Sequence, residues 1–75
     1  MERQRQSNPH FWLNQVFSAK SVLSGGVVRR SRKWVEAEIG IGLFEQSVRA
    51  RGYHLLEAGD QFVVICHSGP VNLRF

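Results

Sequence analysis

Apolar and polar positions follow two different periods along this chain, and the change of period divides it into a helical part and a strand part. In the first part Trp12, Leu13, Val16 and Phe17 recur at spacings of three and four, which lines them along one face of a helix running to about Lys20 or Ser21, a stripe expected to pack inward as core. Asn8 followed by Pro9 marks where that helix begins, because an Asn side chain caps free backbone N–H groups and the fixed φ of proline suits a first turn. Ser24-Gly25-Gly26 predicts a turn. The β-branched pair Val27-Val28, followed by Arg29-Arg30, predicts a short strand whose arginines suit a sheet edge. Ser31 is placed to cap a second helix over residues 32–39, and Gly40 and Gly42 interrupt it, giving either one broken helix or two short ones. The stretch from about Gly42 to Arg51 carries Leu43, Phe44 and Val48 on one side, with Gly52 positioned as its C-terminal cap.

Beyond Gly52 the apolar period falls to two. Residues 53–58 and 61–66 are rich in strand-favouring types, and Gly59-Asp60 between them is a two-residue hairpin signal. Pairing Ala58 with Gln61 puts Tyr53, Leu55, Glu57, Phe62, Val64 and Cys66 on one face, and His54, Leu56, Val63 and Ile65 on the other. Both faces are largely apolar, so the hairpin needs cover twice: by the helices on one side, and by the first helix or a second copy of the chain on the other. After the Ser68-Gly69-Pro70 turn, residues 71–75 can return as a third strand. The fold class is therefore α+β: an N-terminal helix, a short strand, one broken or two short helices, and a C-terminal antiparallel hairpin.

Composition narrows the partners more than the chemistry. Seventy-five residues suffice for a single compact domain, assigned to residues 8–75, with residues 1–7 read as a flexible basic tail. With 43% hydrophobic and 21% charged residues the chain has ordinary globular usage, so disorder is not the expectation. No apolar run reaches the roughly 18 residues of a membrane helix, and Met1-Glu2-Arg3 leads into no signal-peptide core, so a cytoplasmic protein without a membrane partner is expected. Cys66 stands alone, which excludes an internal disulfide and a paired-cysteine zinc ribbon. A net charge of +4 and a pI near 10.2 favour an acidic partner.

The basic residues cluster where such a partner would be met. Arg29, Arg30 and Lys33 are placed to grip phosphates, and Gln46, Arg49 and Arg51 lie on the third helix. The element order resembles a winged helix-turn-helix domain, in which that helix enters a nucleic-acid groove. Two glutamates compete for these cations, since Arg32–Glu36 and Glu45–Arg49 have the i, i+4 spacing of helical ion pairs. A protein partner is the alternative to nucleic acid: an adaptor would dock through Trp12, Phe17, Trp34 and the hairpin, and self-association as a homodimer would cover its second face. Catalysis has less to work with. His54 and His67 share a face diagonally, Asp60 is explained by the turn, Glu57 lies on the opposite face, and Cys66 faces Tyr53 as a small apolar residue. No phosphate loop, nucleophile elbow or four-ligand metal set is present, so neither cofactor, metal nor small-molecule substrate is inferred and an enzyme is not expected.

Residues 26–44, 51–57 and 59–66, a little under half of the chain, resemble short uncharacterised proteins of α-proteobacteria, some of which carry the label phosphoribosylanthranilate isomerase. That enzyme is an eight-stranded (β/α) barrel of at least about 200 residues. Seventy-five residues cannot build it, and none of its catalytic residues carries over. The resemblance implies a bacterial, cytosolic α+β domain.

Overall fold

A computed structural model describes residues 8–75; the basic tail read for residues 1–7 lies outside them. The elements are α1 (Pro9–Phe17), α2 (Lys20–Leu23), β1 (Val27–Ser31), α3 (Arg32–Glu38), α4 (Ile41–Ala50), β2 (His54–Ala58) and β3 (Gln61–Ile65). The α+β class holds, with two short helices rather than one broken helix between Ser31 and Gly52.

Local signals form the elements as read. Asn8 caps α1 by accepting the Phe11 N–H at 3.1 Å, with Pro9 at the first helical position. The Ser31 hydroxyl accepts the Trp34 N–H at 3.2 Å and opens α3. Gly40 takes φ 95° between α3 and α4, a left-handed conformation that a side chain would strain, and this turns the chain rather than kinking it. At the end of α4 the Gly52 N–H donates to the Arg49 carbonyl and the Tyr53 N–H to the Val48 carbonyl, closing the last turn.

One helix was expected up to about Ser21, but α1 stops at Phe17 and a separate turn, α2, follows. Val22 lies five residues past Phe17, about 140° round a continuous helix and off its apolar stripe. The break at Ala19, whose backbone is extended, re-aims Val22 into the core, where it is buried beside Val16 and Phe17.

The sheet has the order β1-β3-β2, with both pairings antiparallel. The hairpin has the expected register, Ala58 with Gln61 through His54 with Ile65. Its third strand is β1, with Val28 opposite Val64, and not residues 71–75, which belong to neither helix nor strand. From the end of β3 a return onto the open side of β2 would run parallel to it. The few residues in between fall far short of the dozen or so that a parallel crossover needs. The other edge of β3, which an antiparallel return would need, is filled by β1.

The inner sheet face carries Val28, Phe62, Val64 and Cys66, and packs against Leu13, Val16 and Phe17 of α1, Val35 of α3, and Phe44 and Val48 of α4. Phe44 is fully buried at the centre, its ring 5.5 Å from Phe62 and 6.3 Å from Phe17. All three longer helices thus cover the same face. On the outer face Val27 and Leu56 remain 47% and 40% exposed, so the first helix does not supply the second cover that the hairpin needs. No helix of the described residues is long and apolar enough to cross a membrane.

Candidate nucleic-acid interface

The helix pair α3–α4 is positioned from within. Val35, Ile39, Phe44 and Val48 are all buried, which pins both helices to the sheet and fixes which sides face water. On α4 the outward stripe is Gly42, Glu45, Gln46 and Arg49, and on α3 it includes Arg32, Lys33 and Glu36. The hairpin tip is tied to this pair, because the Arg32 N–H donates to the Asp60 carbonyl at 2.8 Å and the Arg32 guanidinium meets Glu57 at 3.1 Å.

These contacts redistribute the expected cations. Arg32 pairs with Glu57 across the hairpin and not with Glu36, and no Glu45–Arg49 ion pair forms among the described residues. Lys33, Gln46 and Arg49 are exposed. Arg51 is folded back: its Nη1 donates to the Ser47 carbonyl at 3.1 Å, and its guanidinium carbon lies 4.2 Å from the centre of the Phe17 ring. Arg29 and Arg30 point to opposite faces of β1, as successive strand residues must, and Arg30 donates to the Arg29 carbonyl at 2.7 Å. Arg29 is therefore on the sheet face away from α4, so the six expected residues do not form one patch. Lys33, Gln46 and Arg49 are those presented by the helix pair.

The aromatic residues also part company. Phe17 is only 7% exposed and belongs to the core, which removes it from the expected docking surface. Trp12 and Trp34 are half-buried and meet edge to face at 5.4 Å, joining α1 to α3. Phe11, which the stripe reading passed over, is 47% exposed and sits 5.0 Å from Trp12. It could have been found as the apolar residue of α1 that lies off the Leu13–Val16–Phe17 stripe.

A second feature lies between α4 and β2: an open groove of about 490 Å³ lined by Glu45, Val48, Arg49, Gly52, Tyr53, His54 and Leu55. At its β2 end His54 Nε2 donates to the Gly69 carbonyl at 2.6 Å, and the Gly69 N–H donates to His67 Nδ1 at 3.0 Å. The two imidazoles stand edge to face at 5.9 Å and both hold the Gly69 loop in place. Cys66 is buried, and that burial pushes its thiol pKa above the ordinary 9.0, away from thiolate chemistry. No group of three or more potential metal ligands occurs among the described residues.

Comparison with protein-family models, with curated proteins and with solved structures finds no match for this chain.

Proposed function

We propose that the chain is a small non-enzymatic bacterial protein of the cytoplasm that binds nucleic acid as a winged-helix-like domain, with α4 as the helix presented to a groove. The observation that carries this reading is the helix pair itself. Phe44 and Val48 hold α4 against a β1-β3-β2 sheet, and Gln46 and Arg49 are left on its solvent side. Arg49 and Lys33 serve as phosphate contacts, and Gln46 has the amide needed to read an adenine edge. The hairpin tip, Gly59-Asp60, carries no cation, so the helices rather than the wing supply the phosphate contacts.

The test is fluorescence anisotropy of labelled mixed-sequence DNA and RNA duplexes at two salt concentrations. Binding should weaken as salt rises, by about 0.9 in log K per log salt for each phosphate neutralised, and K33A/R49A should lower that slope by about 2. Arg29→Ala, on the other sheet face, should change affinity less than twofold. No binding at low salt sinks the proposal. The adaptor reading would then lead, supported by the aromatic cluster of exposed Phe11 and half-buried Trp12 and Trp34, and substitution of Phe11 and Trp12 would test it by loss of a salt-insensitive protein partner.

A further inference from the structure

Among the described residues the sheet has two edge strands, β1 and β2, and an outer face that no helix covers. Its centre is apolar: Val63 lies half-buried between Arg29 and Leu56, and Ile65 between Val27 and His54. Residues 71–75 are apolar in the same way. Val71 is 43% exposed, Leu73 86%, and Phe75 fully, and they alternate with Asn72 and Arg74. This is the pattern of a strand with one apolar side, five residues long, in a chain whose β2 edge is also five residues long.

We propose that residues 71–75 of one copy add as an antiparallel strand to the β2 edge of a second copy, reciprocally, so that two chains form a dimer through exchanged strands. The chain cannot satisfy this edge itself, because the path from β3 reaches β2 only in the parallel sense and through too short a connection. Another copy approaches antiparallel without that limit. In the register of full overlap, Leu73 lies opposite Leu56 and Phe75 opposite His54 on the outer face, which extends the apolar surface of Val63 and Ile65.

The same register places Arg74 opposite Leu55, at the groove whose α4 wall holds Glu45 and Arg49, and Asn72 opposite Glu57. Charge selects the edge. At β2 Arg74 shares a face with Glu45 and with Glu57, which also pairs with Arg32, whereas at β1 the same face carries Arg30. The anchor is in place too, since His54 holds the Gly69 carbonyl and fixes where the donated segment leaves its own sheet. Nothing in this arrangement requires nucleic acid.

The experiment is sedimentation equilibrium of the full chain from about 5 to 200 µM, with circular dichroism of each variant as a control on folding. The wild-type chain should be dimeric. L73D/F75D should raise the dissociation constant at least about a hundredfold and, at concentrations where the wild type is monomeric too, leave spectrum and melting temperature unchanged, because both side chains stand in solvent within the monomer. Arg74→Glu should weaken the dimer about tenfold, and E45R/R74E should restore it. A wild-type chain that stays monomeric throughout overturns the proposal and leaves the β2 edge to a peptide of another protein. A dimer indifferent to L73D/F75D overturns it equally, because the contact then lies elsewhere.

Discussion

Gly40 and Gly42 stand two residues apart at the start of α4, and their replacement by alanine should change stability in opposite directions. A Cβ at either position meets no atom within 4 Å, so neither change creates a clash. What differs is the backbone. Gly40 sits at φ 95°, where an L side chain costs about 1–2 kcal/mol, while Gly42 has ordinary helical geometry in the first turn of α4. Alanine at position 42 restricts the unfolded chain without strain in the folded one and should stabilise by about 0.5 kcal/mol. For a domain of this size these translate into melting temperatures about 4–16 °C lower for G40A and about 2–4 °C higher for G42A. Thermal and urea unfolding followed by far-ultraviolet circular dichroism measures both, with unchanged urea m-values showing that two-state unfolding is retained. Shifts of the same sign would refute the claim that backbone conformation at Gly40, and not glycine content, makes the turn between α3 and α4.

Further outcomes follow from packing and charge. Phe44→Ala should cost about 3–5 kcal/mol, a large share of the roughly 4–11 kcal/mol that 75 residues support, and leave a broad, poorly cooperative melt; a loss below 1 kcal/mol would remove Phe44 from the centre of the core. Cys66 should react with a disulfide reagent only as fast as the chain unfolds. Because burial raises its folded pKa, the unfolded thiol ionises first and stability falls as pH rises through 9.0, so the stability advantage of wild type over C66A should narrow above that pH in urea titrations and be constant below it. Glu57→Ala should cost less than about 1 kcal/mol, since both members of the Arg32–Glu57 pair are about half exposed, and that cost should shrink in high salt; a salt-independent loss would point to a packing role instead.

Sequence alone determined those features whose causes lie within a few residues. Asn8-Pro9 and Ser31 could be read as helix starts because a cap acts on an N–H three residues away. Gly59-Asp60 set the hairpin register because a two-residue loop leaves no freedom of pairing, and the division of apolar residues between its faces followed from the period of two. Tertiary structure decided what depends on closure between distant segments. It chose β1 over residues 71–75 as the third strand, since β1 takes the one edge of β3 that an antiparallel return of residues 71–75 would need. It drew Phe17 into the core against Phe44, moved Arg32 from Glu36 to Glu57, and folded Arg51 onto Phe17. Of the candidate nucleic-acid contacts read along the chain, the side of the sheet or helix on which each fell separated Lys33, Gln46 and Arg49 from Arg29. Helix and turn signals are carried by neighbouring backbone groups, whereas the choice among several carboxylates, edges or apolar faces is made by whichever the packed core brings near.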